Sequence, residues 1–129
     1  MAEHVPATIL VIEDDATTRQ TFQQILAEDG FTVHLAATAQ EGFSELAQDP
    51  PDAVLLDLHL PLTNGLEWLR RVRAEQSRVP VAIVTGDYFL DADVAQELQT
   101  LGARIHFKPL WESDLKRLVH DLLDRRSDT

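Results

Sequence analysis

Residues 55 to 65 read LLDLHLPLTNG, a leucine-rich run with a single aspartate, Asp57, set into it. A carboxylate in an apolar segment costs several kcal/mol unless something pairs with it. Four residues of matching chemistry close other apolar runs: Glu13 and Asp14 after TILVI, Thr85 after VAIV, and Lys108 after RIHF. If these groups meet, the three carboxylates repel one another and raise each other's pKa. A hard divalent cation removes that conflict, and an all-oxygen ligand set selects Mg²⁺ or Mn²⁺ over zinc or copper. Lys108 can then hold one more anionic oxygen, and Thr85 can donate a hydrogen bond to another. One nucleophilic carboxylate in such surroundings is equipped to accept a phosphoryl group.

The surrounding elements decide whether the groups meet. TILVIE (8–13), DAVLLDL (52–58) and VPVAIVT (79–85) are continuous apolar runs, as expected of parallel strands buried on both faces. FTVHLA (31–36) alternates like a half-exposed strand, and RIHF (104–107) is a short fifth one. Between them lie helical patterns. The first buries Phe22, Ile25 and Leu26 and stops at Gly30. The second opens on the capping-box spacing of Thr38 and Glu41, turns Phe43 and Leu46 inward, and stops at Pro50–Pro51. Asn64 can cap a third, with Leu66, Leu69 and Val72 inward. The fourth carries Val94, Leu98 and Leu101 and ends at Gly102; the last has Leu115, Leu118, Val119, Leu122 and Leu123 at helical spacing. Five strands alternating with five helices predict an α/β protein with a parallel sheet and right-handed crossovers. In such a sheet the carboxyl ends of the strands form the ligand crevice, and all five chemical groups fall there.

Composition excludes other settings. The chain has 129 residues, 44% hydrophobic and 26% charged, enough for one domain with its own core. No run approaches the ~18 apolar residues of a membrane span. The amino terminus lacks the layout of a signal peptide. The absence of cysteine fits a cytoplasmic protein, and a net charge of −11 argues against direct nucleic-acid binding.

The segments ILVIEDDATTR (9–19), DAVLLDLHLPLTNGLEWLRRVR (52–73), VAIVTG (81–86) and FKPL (107–110), taken in order, resemble the receiver domain of two-component response regulators. The resemblance implies a flavodoxin-like doubly wound sheet of strand order 2-1-3-4-5 and a receiver domain over residues 7–124; the ends, 1–6 and 125–129, read as loose from the sequence itself. It casts Asp57 as phosphoacceptor. Glu13, Asp14, Asp57 and the backbone carbonyl of His59 become the Mg²⁺ site, with Glu13 acting largely through water. Thr85 is similar to the family's switch hydroxyl and Lys108 to its phosphate-pairing lysine, with a cis Lys108–Pro109 peptide. The implied partners are a histidine kinase or phosphotransfer protein, and a downstream protein on the face of helix 4, strand 5 and helix 5.

This chain departs from the family pattern at two places. Ile105 stands where the family commonly has an aromatic residue three positions before the lysine. GARIHFK is also one residue shorter than the usual spacing from glycine to lysine, as in some receivers attached to sensor kinases. Around the site, His59 and Asp87 are each open to two readings. Either tunes the lifetime of an aspartyl phosphate, or His59 is an exposed loop residue and Asp87 a helix cap. Asp15 is expected as a solvated first-turn residue favoured by the helix dipole. His34, His106 and His120 are expected at the surface. Trp68 and Trp111 are expected to pack, although Trp111 follows the lysine on the output face.

The expected function is a phosphorylatable signalling switch that catalyses only its own phosphotransfer and dephosphorylation. Two alternatives stand beside it. A phosphohydrolase resembling the haloacid dehalogenases would want a second acid two residues after the nucleophile, where this chain has His59. A degenerate receiver would bind a partner without phosphorylation.

Overall fold

The computed structural model describes residues 5–127. Ten elements alternate along the chain: β1 (Thr8–Ile12), α1 (Ala16–Glu28), β2 (Thr32–Ala36), α2 (Ala39–Gln48), β3 (Ala53–Leu56), α3 (Gly65–Ala74), β4 (Val81–Thr85), α4 (Ala92–Thr100), β5 (Arg104–Phe107) and α5 (Glu112–Ser127). The strands form one parallel sheet in the order β2-β1-β3-β4-β5, the predicted doubly wound arrangement.

Side-chain alternation along the three central strands divides the core into two layers. Ile9 and Val11, Ala53 and Leu55, Ala82 and Val84 pack with Phe22 and Leu26 of α1 and with Leu115, Val119 and Leu122 of α5. Leu10 and Ile12, Val54 and Leu56, Val81 and Ile83 pack with Trp68, Leu69 and Val72 of α3 and Leu98 of α4 on the opposite face. Strands buried on both faces must read as unbroken apolar runs, which is why their sequences show no alternation. β2 and β5 lie at the edges and are only partly buried.

Capping follows the sequence closely. Thr38 Oγ1 accepts from the Glu41 amide at 3.1 Å, and Asn64 Oδ1 accepts from the Glu67 amide at 2.9 Å. Gly30 and Gly102 follow α1 and α4 with φ of +92° and +86°. Two caps differ from expectation. Asp15 is the N-cap of α1 rather than a first-turn residue, its carboxylate accepting from the Thr18 amide at 2.9 Å and the Thr18 hydroxyl at 2.6 Å. The cap of α4 is Asp91, not Asp87. α5 continues to Ser127, past residue 124 where the sequence reading ends the domain. Of the termini expected to be loose, residues 125–127 belong to α5 instead, whereas 1–4 and 128–129 lie outside the described residues. No helix among the described residues is long and apolar enough to cross a membrane.

Candidate functional site

Four of the five strands, all but β2, deliver the parts of the site. β1 ends at Ile12, so Glu13 and Asp14 follow at its mouth; Asp57 directly follows β3; Thr85 is the last residue of β4; Lys108 directly follows β5. Register carries them to a common level. Ile12 pairs with Leu56, Asp57 N–H donates to the Ile12 carbonyl at 2.9 Å, and Lys108 N–H donates to the Thr85 carbonyl at 2.8 Å.

Carboxylate oxygens of Glu13, Asp14 and Asp57 lie within 4.8 Å of one another. Glu13 is 2% exposed and Asp57 7%, while Asp14 faces solvent. Lys108 Nζ reaches in to 2.5 Å from Glu13 Oε1 and 3.7 Å from Asp57 Oδ2. Burial first, then the hydrogen bond shared with Asp57, push the Glu13 carboxyl up to about 7, despite the opposing pull of Lys108 and the Asp15 amide. For Lys108, burial alone lowers the pKa. The Glu13 hydrogen bond and the charges of Asp57, Glu13 and Asp14 outweigh it, so the net shift is upward and the ammonium stays charged. One lysine thus serves three carboxylates, and a second cation is what the donor set lacks. The oxygens present suit a hard divalent ion.

The backbone around these side chains is held from outside the site. Arg19 Nη1 donates to the Glu13 carbonyl at 2.8 Å and to that of Asp14 at 3.3 Å, fixing the acidic turn from α1. Asp15 N–H donates to Glu13 Oε2 at 3.2 Å. Gly65 opens α3 hard against the Asp57–Leu58 segment: its N–H donates to the Leu58 carbonyl at 2.7 Å, and a Cβ there would sit 2.7 Å from the Asp57 carbonyl oxygen. A bridge between His59 and Asn64 closes the same loop, and His59 N–H donates to Asp57 Oδ1 at 3.3 Å.

Other groups lie at the rim. Thr85 is fully buried, and its hydroxyl oxygen accepts from the Asp87 amide at 3.1 Å. His59 Nε2 lies 3.0 Å from Asp87 Oδ2, so the two residues with open roles are partners across the mouth. Ile105 packs into the core layer beneath α4. Phe107, on the same side of β5 by alternation, stacks on Tyr88 with centroids 5.5 Å apart, and the Tyr88 hydroxyl donates to the Lys108 carbonyl. Trp111 is 70% exposed just before α5, whereas Trp68 is buried and stacked on Phe43. Of the histidines expected at the surface, His34 and His106 are partly buried, and His34 sits between Glu45 and Asp49 on the edge strand. His120 is exposed and pairs with Asp29.

Arg19, Gly65, Tyr88 and Phe107 were not singled out from sequence. Only Phe107 carried a signal there, as an aromatic two residues from Ile105 on the same strand face.

The family model for the response regulator receiver domain matches residues 9–120. Among curated proteins the chain is 36% identical over 81 residues to "Response regulator MprA" of Mycolicibacterium vanbaalenii. That match covers 63% of this chain and 35% of the relative, so the chain spans about a third of the length of the curated relatives it matches. Among solved structures, a receiver domain protein (CheY-like) from Methanospirillum hungatei superposes with a TM-score of 0.89 at 26% identity, over 96% of this chain and 98% of that one. A receiver domain protein from Clostridium thermocellum gives 0.84 at 29%, over 94% and 97%. The family match enters at β1 and leaves within α5, taking in every strand end at which the charged groups meet, and on that extent the chain belongs to the response regulator receiver domains of two-component systems.

Proposed function

We propose that this domain is a phosphorylatable switch with Asp57 as its acceptor. The observation that carries the reading is Asp57 itself, a buried carboxylate with a lysine on one side and two more carboxylates on the other. A histidine kinase or phosphotransfer protein presents phosphohistidine. An Asp57 oxygen attacks the phosphorus in line, the P–N bond breaks, its electron pair returns to the imidazole, and an acyl phosphate remains.

Glu13, Asp14, Asp57 and the His59 carbonyl would hold Mg²⁺ or Mn²⁺, which when bound neutralises charge on the transferring phosphoryl oxygens. Lys108 pairs with a further phosphoryl oxygen. Because the Thr85 oxygen already accepts from the Asp87 amide, its proton remains free to donate to the new phosphate. The His59–Asp87 pair over the mouth limits the access of water and so tunes phosphate lifetime. The output is read by a downstream protein on the α4-β5-α5 face.

One observation favours the non-phosphorylated alternative: Ile105 is packed in the core, leaving no ring at that position to swing. Incubation with acetyl phosphate and Mg²⁺ separates the readings. A stable phosphorylated chain is expected. No reaction supports a binding-only module, and rapid turnover of unrelated phosphate esters supports a hydrolase.

A further inference from the structure

At the opposite end of the sheet, where β4 and β5 begin, three arginines from separate elements surround an open cleft of about 330 Å³. Arg73 comes from the last turn of α3, Arg78 from the α3–β4 connection and Arg125 from the end of α5; Thr100, Leu101 and Gly102 form the facing wall. The chain carries 22 Asp and Glu against 11 Lys and Arg, yet none of the three forms an ion pair with a carboxylate among the described residues.

Two of them are tied to main chain instead. Arg73 Nε donates to the Leu101 carbonyl at 2.8 Å and Nη1 to the Ser77 carbonyl at 3.0 Å; Arg125 Nη2 donates to the Gly102 carbonyl at 2.9 Å. These bonds aim the guanidinium groups without neutralising them. Arg125 Nη1 is buried and has no hydrogen-bond partner among the described residues. Arg78 is exposed and makes no hydrogen bond or ion pair among the described residues. Burial, together with the nearby charges of Arg78 and Arg125, lowers the pKa of Arg73.

Two half-buried guanidinium groups, Arg73 and Arg125, held beside the exposed Arg78 with no carboxylate partner are costly, and in an acidic chain a neighbouring carboxylate could have cancelled the cost. We infer that the Arg73–Arg78–Arg125 cleft is a binding site for a compact oxyanion of two or more negative charges, foremost a small phosphate-bearing molecule. Guanidinium groups suit it because they offer paired donors in a rigid fork that matches phosphate and carboxylate oxygens. The cleft is also of the size that holds a small ligand. The site is distinct from Asp57, which lies at the carboxyl ends of the strands.

The test is residue-resolved amide NMR on the full chain, titrated at constant ionic strength with inorganic pyrophosphate in Mg²⁺-free buffer. Citrate and a glutamate-rich peptide form parallel arms. Saturable shifts at residues 73, 78, 101, 102 and 125, separable from any at 13, 57, 85 and 108, are expected. A stronger response to citrate than to pyrophosphate would assign the carboxylate as the source of the anion.

Arg78→Ala removes no structural hydrogen bond. It should weaken binding about tenfold or more, as loss of one charge-assisted contact implies. The same variant should melt higher than wild type in low salt without the anion, because it relieves repulsion. Arg73→Lys and Arg125→Lys keep the charge and serve where a neutral variant fails to fold. Absence of saturable shifts, shifts scattered over the surface, or binding of the peptide alone would overturn the inference. So would a lower melting temperature for Arg78→Ala with unchanged anion binding.

Discussion

At the scale of single residues, Glu13 is the carboxylate whose surroundings most disfavour its charge. Its carboxyl is buried beside Asp57 and pushed up from an ordinary 4.5 to about 7. A folded-state pKa raised above the unfolded value contributes stability that is fully present below pH 4.5 and is lost as pH rises through about 7. The melting temperature of the metal-free protein relative to Glu13→Gln should therefore fall across that window, and Mg²⁺ should shrink the fall by answering the carboxylate charge. A difference between wild type and variant that stays flat with pH would remove Glu13 from the account. Gly65 sets the other residue-scale constraint. A methyl group there meets the Asp57 carbonyl at 2.7 Å, a backbone atom that cannot turn aside. Gly65→Ala should cost about 1–3 kcal/mol in urea denaturation, as overpacking does, and slow phosphorylation by displacing the acceptor loop.

At the scale of elements, the proposed switch needs a route from a charge at Asp57 to the α4-β5-α5 face. The usual aromatic is replaced by Ile105, but β5 is tied to the β4–α4 loop in another way, through the Tyr88–Phe107 stack and the Tyr88 hydroxyl on the Lys108 carbonyl. On the proposed mechanism, movement of Thr85 toward a phosphate on Asp57 would pull on the Asp87 amide, one residue from Tyr88. Loading Asp57 with fluoroberyllate should therefore change the emission of exposed Trp111, which lies three residues beyond Lys108, and leave buried Trp68 nearly unchanged. Trp111→Phe should abolish the signal and Trp68→Phe retain it; Tyr88→Ala or Thr85→Ala should bind the mimic and blunt the response. Unchanged emission together with unchanged amide exchange over residues 87–111 would exclude switching through this face. Elements are also the scale at which sequence was most legible. The apolar runs of β1, β3 and β4 could be read because strands buried on both faces leave no choice of residue type. Asp15, Asp91 and the Tyr88 stack could not be read so easily. Several acidic residues near a helix start compete for one cap, and a contact between distant loops leaves no periodic trace in the chain.

At the scale of the whole molecule, the two ends of the sheet carry opposite charge. Carboxylates crowd the carboxyl ends of β1 and β3, and arginines line the cleft where β4 and β5 begin. The site at the carboxyl ends was legible in outline, since Glu13, Asp14, Asp57, Thr85 and Lys108 each close an apolar run and a parallel sheet aligns such closures. The arginine cleft was not, because its members sit at a helix end, in a loop and beyond the expected end of the domain. The central claim is that Asp57 accepts a phosphoryl group. Acyl phosphates are reduced by borohydride, which turns a phosphorylated aspartate into homoserine and leaves free carboxylates untouched. The chain should be treated with acetyl phosphate and Mg²⁺, reduced, digested and mapped by mass spectrometry. Homoserine at residue 57, absent from Asp57→Asn and from samples lacking Mg²⁺, is the predicted result. Homoserine at another aspartate, or at none while the wild-type chain remains folded, would contradict the account.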